Sequence, residues 1–183
     1  SLTDVNLRLA EKLARGAIGE SITFLRLTLD PACVAREQLQ ASSRQIGSAA
    51  DRQFFTENMI GFERRARKQN LSPEQVASTF AQVSRLLDTP EPSFLSKADR
   101  LILAQQVMRQ AAEPTSISQG FNGTCNVTTI EVRAYARCPA AAAKLIADVA
   151  CTGLYQTPNG STVKPYPDGI RRPEPLEQSV VID

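Results

Sequence analysis

The sequence predicts a mainly α-helical chain, and three observations carry that prediction. Apolar residues recur at helical spacing through most of residues 1–112 and again between Pro139 and Gly153. Helix-start signals stand at Asp30-Pro31, Ser72-Pro73-Glu74-Gln75, Ser96-Lys97-Ala98-Asp99 and Cys138-Pro139. The turn signal Pro158-Asn159-Gly160 places a short hairpin at about residues 155–163, because Asn-Gly supplies the positive φ angles of a tight turn.

The elements follow in order. Val5, Leu9, Leu13 and Ala17 share one face of a first helix, with Thr3 or Asp4 as N-cap and Gly16 and Gly19 weakening its end. Asp30-Pro31 restarts a helix, because proline at the first helical position loses no hydrogen bond that the helix needs. The stretch to Gly47 is mildly amphipathic. Phe54, Phe55, Met59, Ile60 and Phe62 form the most apolar patch of this half and read as core. The basic run Arg64-Arg65-Ala66-Arg67-Lys68 reads as a solvated helix end, where cations are favoured by the helix dipole.

Ser72 is placed as an N-cap, with Gln75 completing a capping box, and Val76, Thr79, Phe80, Val83, Leu86 and Leu87 follow on one face. Thr89-Pro90-Glu91-Pro92 ends that helix. Ser96 opens another, on which Leu101, Ile102, Gln105 and Met108 are expected to line the inner face. Residues 114–124 are polar, carry Gly120 and Gly123, show no period and read as a loop. A helix from Asn126 would carry Val127, Ile130, Tyr135 and Ala136. The alanine-rich run through Leu145, Ile146 and Val149 is a further helix, ended by Gly153, and Lys144 with Asp148 is an i,i+4 pair on it. Pro165, Pro167, Pro173 and Pro175 mark an extended tail, and Ser179-Val180-Val181-Ile182-Asp183 reads as the start or middle of a strand. The chain thus divides into a helical region, 1–112, and a cysteine-bearing region, 113–183.

Composition narrows the function classes. The chain has 183 residues, 42% hydrophobic and 22% charged, with net charge +2, which is globular and gives no strong field toward nucleic acid. The basic run has no interleaved aromatics for base stacking. No apolar run is long enough to span a bilayer. The start, Ser1-Leu2-Thr3-Asp4, lacks a basic segment before an apolar core, so no signal peptide is expected and the compartment stays open. Histidine is absent and the four cysteines form no Cys-x-x-Cys pair, so neither a metal site nor a cofactor is expected. Cys33, Cys138 and Cys151 read as buried small residues in or beside helices.

Cys125 stands apart. It sits in Gln119-Gly120-Phe121-Asn122-Gly123-Thr124-Cys125-Asn126, where loop is expected to become helix. A thiolate is favoured at a helix N-terminus, two glycines let backbone approach closely, and a glutamine amide can supply an oxyanion donor. The string resembles the Q-G-x-x-G-[ST]-C-[WY] motif of papain-like cysteine peptidases: glutamine, both glycines, hydroxyl residue and cysteine fall in register. The resemblance covers eight residues. It implies Cys125 as nucleophile, Gln119 as oxyanion-hole donor, and a helix from Cys125 that belongs to a papain-like α+β domain. By the same resemblance the helices of 1–112 would be a prodomain, a docking module or a subdomain extension. The sequence departs from the family at Asn126, which replaces the aromatic, and at Asn122, where the family's loop cysteine would stand. The family's histidine lies downstream of its cysteine, and here no histidine follows. The expectation is therefore a cysteine hydrolase, most readily a peptidase acting on protein or peptide, whose histidine comes from a second polypeptide or a further segment. The alternative is a non-catalytic helical interaction protein or a degenerate relative.

Overall fold

The computed structural model describes residues 30–116, 133–157 and 159–164. Five long helices account for most of them: α1 Pro31–Ser42, α2 Ala49–Lys68, α3 Pro73–Asp88, α4 Lys97–Ala112 and α5 Pro139–Thr152. Short 3-10 turns follow α1 at Ser43–Gln45 and α4 at Pro114–Ser116. Residues 133–137 are also helical and run into Cys138. Two two-residue strands, β1 Tyr155–Gln156 and β2 Thr162–Val163, pair antiparallel with Tyr155 opposite Val163. The described residues are thus mainly helical with a short antiparallel hairpin, as the apolar spacing and the turn signal predict. The first expected helix, with Val5, Leu9, Leu13 and Ala17, and the proline-rich tail lie outside the described residues.

Local chemistry explains the helix starts. Asp30 caps α1 by accepting the Ala32 N–H at 2.9 Å, with Pro31 at the first helical position. Ser72 and Gln75 exchange hydrogen bonds in a complete capping box: the Ser72 hydroxyl accepts from the Gln75 N–H at 3.3 Å, and the Gln75 amide oxygen accepts from the Ser72 N–H at 3.0 Å. Ser96 caps α4 through the Asp99 N–H at 3.2 Å. Its reciprocal arm differs from a capping box, because the Asp99 carboxylate takes the Ser96 hydroxyl at 2.6 Å. Cys138 precedes Pro139 without a side-chain cap, and Gly153 ends α5 in the left-handed conformation at φ +71°.

α3 is the hub. It packs against α1, α4 and α5, while α2 packs against α4. The inner face of α3 carries Phe80, Val83, Leu86 and Leu87, all but sealed from solvent. Each such side chain contributes about 1.5–3 kcal/mol of burial. Phe62 of α2 meets Phe80 edge-on at 5.5 Å between centroids. Ala143, Ala147 and Ala150 of α5 enter the same core as Leu39 of α1 and Met108 of α4, so the helix of the second region and those of the first share one interior. Small residues on α5 suit that close approach.

Three expectations about faces need correction. On α2, Phe55, Met59 and Phe62 are buried as expected, but Phe54 and Ile60 are about two-fifths exposed, at 41% and 40%. The buried positions 55, 59, 62 and 66 already complete a helical stripe, and the other two fall off it. On α4, the inner face is Arg100, Ala104, Val107, Met108 and Ala111, whereas Leu101, Ile102 and Gln105 are only partly buried. The reading from apolar spacing misses this phase because an arginine lies on the inner face. Arg100 is fully buried and is satisfied by donation to the Leu86 carbonyl at 2.9 Å, the Leu95 carbonyl at 3.3 Å and the Glu91 carboxylate at 3.2 Å. In the hairpin, Gly160 has φ +85° and donates back to Thr157, while Asn159 is not among the residues of positive φ. One glycine, rather than an Asn-Gly pair, makes that turn.

Candidate functional site

Gln119 and Cys125 lie outside the described residues, as do Gly120, Gly123 and the start of the helix expected from Asn126. The described residues supply the flanks of that segment. Upstream, α4 runs to Ala112 and is followed by the 3-10 turn Pro114–Ser116. Downstream, helical residues 133–137 lead to Cys138 and α5. Tyr135 on this stretch is buried, at 2% exposure, and belongs to the core. It anchors the helical residues 133–137 in that core.

A single guanidinium joins both flanks. Arg65, near the end of α2, donates from Nη1 to the Ala111 carbonyl of α4, and from Nη2 to the carbonyls of Tyr135 at 2.6 Å and Ala136 at 2.9 Å. Its Nε donates to Gln69 Oε1 at 3.1 Å, which holds the planar group from behind. The last carbonyls of a helix lack partners within the helix and form the negative end of its dipole. The C-termini of α4 and of residues 133–137 meet here at the end of α2, and the Arg65 cation donates to carbonyls of the first two. Burial lowers the Arg65 pKa from its ordinary value, yet an arginine remains protonated. The basic run is therefore a helix end, as its sequence suggests, but Arg65 within it is not a solvated charge.

A groove of about 670 Å³ opens at the other side of the α2 terminus, between the starts of α1 and α3, and Cys33, Arg36, Glu63, Arg67 and Leu71 help to line it. Its charges are mutually engaged. Arg36 pairs with Glu63 at 2.9 Å, and Asp30 accepts the Cys33 thiol at 3.4 Å while capping α1. Arg67 donates from Nε to the Glu63 carbonyl at 3.3 Å.

Two of the other three cysteines differ from their expected burial. Cys151 is buried, as expected, and accepts the Thr89 hydroxyl at 3.3 Å. Cys33 is only half-buried, and Cys138 is exposed because the residue before Pro139 sits at a helix mouth rather than on its inner face. A second charge cluster ties α3 to α5: the Asp148 carboxylate accepts hydrogen bonds from both Arg85 and Lys144. Desolvation pushes the Asp148 carboxyl up, but the hydrogen bonds and charges of Lys144 and Arg85 outweigh it, and its pKa is lowered overall. Lys144 and Asp148 are the i,i+4 pair that their spacing suggests, but Arg85 escapes sequence reasoning because it reaches Asp148 from 63 residues away.

Among the described residues no group of three or more cysteine, aspartate or glutamate side chains could hold a metal ion, and no helix is long and apolar enough to cross a membrane. No protein-family model matches the chain, and neither a curated protein nor a solved structure matches it.

Proposed function

We propose that the chain is the nucleophile-bearing portion of a papain-like cysteine hydrolase, acting on protein or peptide substrates. The observation that carries this reading is the register of Gln119, Gly120, Gly123, Thr124 and Cys125 with the family's motif, in which several separate chemical requirements coincide. The Cys125 thiolate would attack a carbonyl carbon as the carbonyl electrons move onto oxygen. The Gln119 side-chain amide and the Cys125 backbone N–H would donate to that oxyanion. Expulsion of an amine needs a proton, and the sequence holds no histidine to deliver it. A histidine-bearing second polypeptide, or a further segment, would complete the site, so this chain by itself should show nucleophilicity without turnover.

The test is site-resolved iodoacetamide labelling of the full chain against pH. An activated Cys125 would show an apparent pKa below the free-thiol value of about 8.5, and Gln119→Ala would erase its preferential labelling. A Cys125 midpoint at the free-thiol value sinks the hydrolase reading and favours a helical interaction protein. Mass spectrometry of the native material addresses the second component: an authentic terminus at Asp183 with no histidine-bearing partner would rule out the two-chain arrangement.

A further inference from the structure

We infer that Asn159-Gly160, at the tip of the hairpin, is a self-modification site, at which the Gly160 backbone nitrogen displaces ammonia from the Asn159 carboxamide and the native turn assists the step. The residues involved belong to the hairpin and stand apart from the cysteine motif.

Asn159, Gly160 and Ser161 are all exposed, so water reaches the reacting atoms. Gly160 has open space where a Cβ would stand, so a ring that closes on its nitrogen meets neither a side chain nor a neighbour across the turn. The Ser161 N–H donates to Asn159 Oδ1 at 3.3 Å. A bond from an asparagine to the backbone two residues on folds the carboxamide over the peptide that joins Asn159 to Gly160. It also identifies the oxygen end of the amide, since an N–H requires an acceptor. The Thr157 hydroxyl donates to the same oxygen. That hydroxyl is also 2.9 Å from the Ser161 carbonyl, but the Thr157 N–H already serves this carbonyl at 2.9 Å, so the single hydroxyl proton does more on Oδ1. Two donors therefore converge on the oxygen where negative charge develops when the carboxamide carbon is attacked.

The reaction needs only water beside the chain. Hydroxide takes the Gly160 N–H proton, the nitrogen bonds to Asn159 Cγ, and the Cγ–Nδ2 bond breaks as ammonia leaves with a proton from solvent. Water then opens the cyclic imide at either carbonyl. One opening gives aspartate, and the other gives isoaspartate, whose main chain is a methylene longer. No atom is oxidised or reduced. One contact opposes the step: the Gly160 N–H donates to the Thr157 carbonyl at 2.9 Å and must leave it first. The hairpin that holds this contact pairs only Tyr155 with Val163 and Gln156 with Thr162, and so short a ribbon opens at little cost. Either product adds a carboxylate to a chain of net charge +2, and isoaspartate also lengthens the turn between the paired strands.

The experiment ages the folded full chain in mildly alkaline buffer and follows Asn159 by site-resolved mass spectrometry, with a synthetic peptide of residues 155–163 as the unfolded reference. Tryptic cleavage at Arg133, Arg137 and Lys144 separates Asn159 from the chain's other Asn-Gly pair, Asn122-Gly123. Asn159 should convert to aspartate and isoaspartate together, with isoaspartate the larger share. Gly160→Ala should slow the conversion about tenfold, because a Cβ crowds the closing ring. Thr157→Val should slow it about three- to tenfold in the full chain, the worth of one hydrogen bond, and leave the peptide unchanged. Thr157→Ser, which keeps the hydroxyl, should keep the wild-type rate, and it decides if the valine variant loses the hairpin. An Asn159 that stays intact in the folded chain while the peptide converts overturns the inference, since the turn then protects the amide. Conversion to aspartate alone overturns the imide route. A full-chain rate indifferent to Thr157→Val, or slowed equally by Thr157→Ser, overturns the assistance of the turn.

Discussion

Gly153 couples the end of α5 to the linker between α3 and α4. Its φ of +71° is a conformation that side chains with a Cβ rarely take, and a Cβ there would lie 2.6 Å from a ring carbon of Phe94. Phe94 cannot retreat with its backbone, because its N–H donates to the Cys151 carbonyl at 3.2 Å and Leu95 donates to Ala150 at 2.9 Å. Gly153→Ala should therefore destabilise the fold by about 1–3 kcal/mol from combined backbone strain and ring displacement. A double-mutant cycle with Phe94→Ala, followed by urea unfolding, separates the two: the alanine cost should fall once the ring is gone, and an unchanged cost would show that the ring plays no part. The glycine as a helix stop is legible in the sequence, since it follows the last residue of an alanine-rich period. Its aromatic neighbour is not, because Phe94 reaches it across a separation that no local pattern encodes.

At the scale of elements, stops and starts are legible and faces less so. Asp30-Pro31 and Ser72-Pro73 with Gln75 form the caps that their residues suggest, and Ser96 caps its helix although Asp99 does not complete a capping box, because capping involves groups within three residues of each other. Ser72→Ala should remove one arm of the capping box on the hub helix and cost about 1 kcal/mol, or about 2–4 °C in melting temperature. Ser72→Asn should recover most of that loss, and thermal denaturation of the two variants checks both. The face of α4 illustrates the opposite case. Apolar spacing alone rotates the helix away from Arg100, yet Arg100 is the largest fully buried side chain among the described residues, because carbonyls of Leu86 and Leu95 and the carboxylate of Glu91 receive it. The candidate site divides the same way. Gln119 and Cys125 are proposed from spacing alone and lie outside the described residues, whereas Arg65 sits in a run of four cations that looks solvated and is tied down only by carbonyls 46 to 71 residues away.

For the molecule as a whole, acid should weaken the fold through carboxylates held below their ordinary pKa. Asp148 is the most buried of these, since its side chain is only 12% exposed, and its cations come from α3 and α5. Its folded-state pKa lies below the ordinary 3.8, so its contribution is complete above that value and is lost as pH falls toward and through the lower folded pKa. Glu91 is lowered too: desolvation raises it, and hydrogen bonds from Arg100, Lys97 and Ser93 together with the Arg100 charge outweigh that. Glu74 is lowered by hydrogen bonds at the start of α3. Asp148→Asn should cost about 1 kcal/mol at neutral pH, because Arg85 and Lys144 are partly exposed and screened. The variant should also lose less stability than wild type as pH falls below 3.8. Urea midpoints across that range test the sign, and parallel curves would remove Asp148 from the account.

The order in which the helices pair has a kinetic consequence. Backbone packing joins α1 to α3 and α2 to α4, so in each case a whole helix lies between the partners. An up-and-down bundle zips neighbour onto neighbour, with small loops to close. Here the first two helices cannot complete their packing until the next two have been made, and α5 docks on a hub already occupied on other sides. Contact order is raised for an all-helical chain, which slows the search and makes it more nearly all-or-none. On a ribosome, the segment through Lys68 would emerge without the helices that bury Leu39 and Phe62, and folding would have to wait for α3 and α4 to follow.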